Sequence, residues 1–273
     1  MLNRDMLIYL FTLFNWSFCI KWRKVIIFAV KFHNQKIMAV ILNIDTSTTV
    51  CSAALTAEGM VLKHYEDFNG QNHASVLSDF IKGCLDFAAD KEIAIEAVAV
   101  SMGPGSYTGL RIGLSEAKGL CYSLDIPLIG IDTLKLMATS AMFSGENIPD
   151  DCIFLPMIDA RRMEVYAAAY DLGLNTLFSP APVILDEDSF ASLIATKRPI
   201  FVFGNGSEKA KAVLQADNVI FVPGINPLAV DMLPLSELAY LKREFIDVAY
   251  STPMYLKEFQ ATKPKKNIAT SQQ

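Results

Sequence analysis

The stretch VSMGPGSYTGLRIG, residues 100–113, sets glycines at 103, 105, 109 and 113 where an apolar run gives way to a helical pattern. The chemistry that suits such a junction is anion binding. Glycine lets the backbone approach a phosphate closely, and a helix N-terminus offers free N–H groups with about half a positive charge. Gly103, Gly105, Ser106 and Thr108 are the candidate contacts. The Lys-Ser/Thr ending of a Walker loop is missing, Lys118 lies too far along, and a GxGxxG pattern is approached without being met. The pattern alone leaves phosphate contact and a simple change of direction equally open. A second group, IDTST at 44–48, closes the first apolar run with a carboxylate and several hydroxyls. Asp45, Thr46 and Ser47 could hold a hydrated Mg²⁺ beside nucleotide phosphates. Taken by themselves they read better as a hairpin turn that hydrogen-bonds its own backbone.

Metal and nucleophile chemistry find less support. His73 falls in the first turn of an expected helix, where a second histidine four residues away would share its face. Those positions hold Asn69 and Leu77, and the other histidines, His33 and His64, lie elsewhere. No metal site is expected. There is no GxSxG, and no histidine has an evident serine or cysteine partner. DARRMEVY, residues 159–166, puts two arginines beside a carboxylate, as in an anion contact or a solvated turn.

The elements that must position these groups alternate. AVILNIDTS reads as a buried strand, and VCSAALTA and MVLKHYED as two more joined by a tight turn. NHASVLSDFIKGCLDFAA has helical spacing, and IEAVAVSM is a strand that feeds the glycine loop. A helix follows it, then the strand IPLIGIDT and a helix capped by Asp132 or Thr133. A polar linker at 144–151 precedes CIFLPMIDARRMEVYAAAYD, which repeats the opening strand, Asp and turn design. PIFVFGNGSEKAKAVL reads as strand, glycine turn and helix, and DMLPLSELAYLKREF as a further helix. The fold class is α/β in two similar halves.

The chain has 273 residues, 52% hydrophobic and 19% charged, with a formal net charge of −5. Residues 1–37 carry six basic side chains and one acid, which leaves 18 basic and 28 acidic residues in the remainder. A body of that sign is a poor binder of nucleic acid by itself. Five cysteines without a CxxC pair fit reduced, buried thiols. MLIYLFTLFNWSFCI, near the start, is too short to span a bilayer, which needs about 20 such residues. A membrane anchor and an extension outside the fold are the alternatives. The second is favoured, because Met38 opens cleanly into the first strand.

Together these pieces resemble one family. ILNIDTST, SMGPGSYTGLRIGLSEAKGL, IPLIGIDTL, PMIDARRMEVYAAAYD and the terminal PMYLKEFQATKPKK are similar to the TsaB (YeaZ) family over roughly residues 38–266. The resemblance implies a two-domain α/β fold of the actin/Hsp70/sugar-kinase (ASKHA) type. Its N-terminal domain would span 38–143 and its C-terminal domain 152–257, with 1–37 as an extension and 258–273 as a basic tail. It also implies a part in making N6-threonylcarbamoyladenosine in tRNAs that read ANN codons. In that pathway TsaD carries the metal and transfers the group, TsaE supplies ATPase activity, and TsaB pairs with TsaD as a scaffold. For this chain the resemblance implies no catalytic residue and no intrinsic cofactor, with any ATP bound within the assembled complex. A cytoplasmic location, tRNA contact only through the complex and a homodimer in the absence of TsaD are implied as well. TsaD carries HxxxH on its first helix, and this chain has His73 followed by Leu77. The family pairs through two helices, here about 72–88 and 108–123. The expected interface residues are His73, Val76, Leu77, Phe80, Arg111, Leu114 and Lys118, with Gly109, Gly113 and Gly119 permitting close approach. A nucleotide-binding regulator and a degenerate kinase- or metalloprotease-like protein of the same fold are the alternatives.

Overall fold

A computed structural model describes residues 39–70, 73–144 and 148–257. The 1–37 extension, the 258–273 tail and the middle of the 144–151 linker lie outside the described residues. The first half is a five-stranded sheet in the order β3-β2-β1-β4-β5. Its strands are β1 (Ile41–Asp45), β2 (Cys51–Ala57), β3 (Met60–Asp67), β4 (Ala97–Gly103) and β5 (Leu128–Asp132). The second half repeats this as β10-β9-β6-β7-β8. Here the strands are β6 (Ile153–Asp159), β7 (Glu164–Asp171), β8 (Thr176–Ile184), β9 (Ile200–Phe203) and β10 (Val219–Phe221). In both, the first three strands form an antiparallel meander and the last two add in parallel. The repeated strand, Asp and turn pattern in the sequence therefore marks a duplicated topology, two similar α/β halves as expected.

Helices fill the faces of both sheets. Helices α1 (His73–Asp90) and α2 (Tyr107–Leu124) cover one face of the first. Each sends an apolar stripe into the same core: Leu77, Ile81, Cys84 and Ala88 from α1, and Leu114, Ala117 and Cys121 from α2. Helix α3 (Thr133–Ser144) has eight of its twelve residues buried, as expected of a helix apolar all round. Leu136 reaches the first sheet, while Leu134, Met137, Ala138 and Ala141 pack on the second. Two short helices, α4 (Ala191–Ile194) and α5 (Ser207–Ala210), lie on the far side of the second sheet, and α5 is much shorter than the sequence pattern suggests.

The domain boundary expected at 257 is not where the chain divides. A 3₁₀ turn, Ala229–Met232, and helix α6 (Leu233–Lys242) return to the first sheet, where Met232 and Ala239 pack on Ile41, Ala97 and Ala99. Ala229 N–H donates to Ser52 Oγ at 2.9 Å. The physical reason is that the outer residues of β1 and β4 would otherwise expose an apolar face. The segment then continues as a strap, with Ile246 N–H bonded to Leu128 O at 2.9 Å and Met254 N–H to Met102 O at 2.7 Å. No described helix is long and apolar enough to cross a membrane.

Glu237 of α6 accepts the Gly59 N–H at 2.8 Å, tying the helix to the β2–β3 turn. Burial raises the pKa of this half-buried carboxyl, more than the Gly59 N–H lowers it. A raised folded-state pKa means stability that is present at low pH and lost as pH rises through that pKa. Glu237→Gln keeps an acceptor and removes the charge. It is therefore expected to match the native protein in acid and exceed it at pH 7–8 by ~0.5 kcal/mol, a small figure because solvent screens the group. Thermal unfolding of both forms across pH 4–8 checks this. A gap that narrows with rising pH contradicts it.

Candidate functional site

The glycine loop and the turn after β1 are folded onto each other. Ser106 N–H, which a phosphate loop would offer to an anion, donates to Ser47 O at 2.7 Å. The Ser106 hydroxyl caps α2 by accepting Gly109 N–H at 3.2 Å. Thr46 Oγ1 donates to Gly109 O at 2.7 Å. The glycines are there because the approach is so close. A Cβ on Gly105 would lie 2.3 Å from Ser47 O, one on Gly109 would lie 2.1 Å from Thr46 O, and one on Gly113 would lie 2.4 Å from Thr46 Oγ1. Gly103, at φ 109°, passes under Met254 of the strap. The structure thus brings Asp45, Thr46 and Ser47 together with Gly105 and Ser106, but it buries all three of the first group completely. Thr108 is exposed and faces elsewhere, into the groove between α1 and α2.

Asp45 accepts from Ser47 Oγ at 2.8 Å. Burial pushes its pKa up to about 6, against the pull of the Ser101 and Ser47 hydroxyls, the Ser47 N–H and the His73 charge. His73 is half-buried, and its Nε2–H donates to Thr48 O at 2.9 Å, since a carbonyl can only accept. The turn at 45–49 is therefore the anchor for the first residues of both α1 and α2. Leu77, four residues on, lies in the core. Among the described residues no three His, Cys, Asp or Glu side chains stand together as metal ligands. Burial pushes the thiols of Cys84, Cys121 and Cys152 up to about 11 and that of Cys51 to about 12, far from a reactive thiolate.

In the second half Asp159 occupies the place of Asp45, at the end of β6. It is exposed, pairs with Lys209, accepts Arg161 N–H at 2.6 Å and donates its own N–H to Asn205 Oδ1 at 2.9 Å. Gly206 N–H donates to Met157 O at 3.0 Å, so this loop also closes on its own turn. Arg161 and Arg162 take left-handed backbone conformations at φ 70° and 53°.

The groove between α1 and α2 is shallow, about 600 Å³, and lined by Ala74, Tyr107, Thr108, Ile112, Ser115 and Glu116, with Arg111 at its edge. Ser78 Oγ donates to Glu116 Oε1 across it at 3.1 Å. Arg111 lies over the Tyr107 ring, and Tyr107 packs at a tilt against Tyr255 of the strap with ring centres 4.9 Å apart. Lys118 Nζ donates to Ala249 O at 3.0 Å. Of the expected interface residues, Arg111 is exposed on this face, and His73, Val76, Phe80 and Lys118 are half-buried. Leu77 and Leu114 are corrected: they point into the core at 0% and 5% exposure and have no surface to give a partner. Gly109 and Gly113 are likewise spent on Thr46, whereas Gly119 has no atom within 4 Å of its Cβ position. Sequence reasoning missed Ala74, Tyr107, Ile112, Ser115 and Glu116 because it searched for apolar spacing, which finds the buried stripe. The Tyr107, Arg111 and Ser115 spacing of four was the signal for the outward one.

A protein-family model described as "TsaD: tRNA N6-adenosine threonylcarbamoyltransferase" matches residues 67–269. The tRNA threonylcarbamoyladenosine biosynthesis protein TsaB of Bacillus subtilis (strain 168) is 31% identical over 226 residues, which is 81% of this chain and 95% of the relative. TsaB of Escherichia coli (strain K12) is 29% identical over 228 residues, 82% of this chain and 96% of the relative. Among solved structures, YeaZ from Pseudomonas aeruginosa is 26% identical with a TM-score of 0.68, covering 80% of this chain and 100% of the other.

Proposed function

The chain belongs to the TsaB (YeaZ) family and takes part in tRNA threonylcarbamoyladenosine biosynthesis, and from that premise we propose that it is the pathway's non-catalytic scaffold subunit, pairing with a TsaD subunit and acting with TsaE in the cytoplasm. One observation carries this reading. The apparatus that would bind phosphate is folded against itself, with Ser106 N–H on Ser47 O and three buried hydroxyl or carboxylate residues behind it. The accessible feature nearby is the groove between α1 and α2. Tyrosine and arginine at its rim are the residue types that anchor protein interfaces. The arrangement supports docking of a protein rather than turnover of a nucleotide.

In this reading α1 and α2 meet the equivalent helices of TsaD, ATP belongs to the assembled complex, and tRNA is reached through the partner. The test is size-exclusion chromatography of the purified protein, its TsaD and their mixture, with calorimetric titration of ATP into each. Co-elution at a one-to-one ratio is expected, with no heat from ATP and the isolated protein. Separate elution, or tight ATP binding by the isolated protein, favours the alternative of an independent nucleotide-binding regulator.

A further inference from the structure

The four exposed tyrosines among the described residues, Tyr107, Tyr122, Tyr250 and Tyr255, all lie on α2 or on the strap beside it. Tyr122 and Tyr250 are the extreme cases, at 87% and 86% exposure, so neither ring holds the core together. Helical spacing sets Tyr107, Arg111, Ser115, Lys118 and Tyr122 in one outer stripe of α2. Leu110, Leu114, Ala117 and Cys121 of the same helix face the core.

The strap is fastened along this stripe at two places. Lys118 Nζ donates to Ala249 O at 3.0 Å, and Tyr255 packs against Tyr107. At the first of them the chain turns tightly. Asp247 Oδ1 accepts the N–H groups of Ala249 and Tyr250 at 2.8 and 2.7 Å, and Asp247 O accepts the Ser251 N–H at 3.1 Å. The backbone at Tyr250 is thus fixed while its ring stays in solvent, which lowers the entropy cost of using that ring as an anchor.

The stripe holds two cations, Arg111 and Lys118, and no acid. Neither cation belongs to an ion pair among the described residues. Tyrosine, arginine and an unpaired lysine together suit an apolar protein face that carries carboxylates. The groove between α1 and α2 is also too small to hold a stable complex by itself. Seven residues line it, whereas such an interface takes roughly 20–30 from each side. Extension across α1 meets Asp79, Lys82 and Asp86, residue types depleted at interface centres. Extension across α2 meets the exposed tyrosines.

We propose that the TsaD subunit seated in the groove also covers the outer stripe of α2 and the strap turn at 247–251. Tyr122 and Tyr250 are then anchors of one continuous interface, and Arg111 and Lys118 face carboxylates of the partner. The strap, which belongs to neither helix, becomes part of the docking surface. This rests on the assignment of the groove to a TsaD subunit.

The test is calorimetric titration of the TsaD subunit into the full-length native protein and into Tyr122→Ala, Tyr250→Ala, Arg111→Gln and Ser115→Arg, with thermal unfolding of each. Tyr122→Ala and Tyr250→Ala are each expected to weaken binding about 5–30-fold and to leave the Tm within ~2 °C of the native value. Native affinity is expected to fall as salt is raised, and Arg111→Gln to flatten that dependence. Binding that Ser115→Arg weakens but both tyrosine variants leave unchanged overturns this inference and keeps the groove assignment. A salt dependence that Arg111→Gln does not alter overturns the placement of carboxylates. No binding by the native protein overturns the groove assignment and this inference with it.

Discussion

Gly109→Ala is expected to destabilise the protein by about 3 kcal/mol, a Tm loss of ~6–12 °C for a chain of this size. A methyl group there would sit 2.1 Å from the carbonyl oxygen of Thr46. Neither side can yield cheaply. Gly109 lies in the first turn of α2 between Leu110, buried in the core, and the Ser106 cap. Thr46 is fully buried, and its own hydroxyl is bonded to Gly109 O at 2.7 Å. Relief requires α2 to move off the turn, which breaks that bond and the 2.7 Å bond from Ser106 N–H to Ser47 O. Gly119→Ala is the counterpart. It lies in the same helix with nothing within 4 Å of the new methyl group, so alanine's helix propensity dominates and stability rises by ~0.5–1 kcal/mol. Chemical denaturation of both variants checks the pair. Effects of the same sign, or a loss at Gly109 below ~1 kcal/mol, contradict the account of why these glycines are present.

That contrast marks what the sequence could and could not reveal. Alternation of apolar runs and helical stripes was enough to locate β1 to β7, β9, α1, α2, α3 and α6, because each buries a face whose period is written in residue types. The duplicated topology was legible in two runs that both end in Asp, Asp45 and Asp159. The return of α6 to the first sheet was not legible, since Met232 and Ala239 would suit any apolar face and nothing local names which one. The purpose of the glycine loop was also hidden. Gly105, Gly109 and Gly113 would look the same whether the close neighbour were a phosphate or the backbone of Thr46 and Ser47. Two residues of the expected docking stripe were misplaced. Leu77 and Leu114 signal burial, but burial in this chain's own core.

The second large effect concerns that stripe. Ser115 is exposed and lines the groove between α1 and α2, with no role in the core. Ser115→Arg places a long charged side chain in the middle of the face proposed to meet a TsaD subunit. Burying that charge without a partner costs several kcal/mol, so heterodimer affinity is expected to fall at least ~100-fold, or about 2.7 kcal/mol. The free protein should unfold within ~0.5 kcal/mol of the native form, as expected for an exposed helical position.

The central claim is that the chain serves tRNA threonylcarbamoylation through this face and not through chemistry of its own. The direct measurement is mass spectrometry of tRNA nucleosides from cells depleted of the protein, complemented with the native form or with Ser115→Arg. The account predicts that threonylcarbamoyladenosine is lost on depletion, restored by the native chain and not restored by a stably accumulated Ser115→Arg. Unchanged threonylcarbamoyladenosine on depletion, or full restoration by Ser115→Arg, would contradict it.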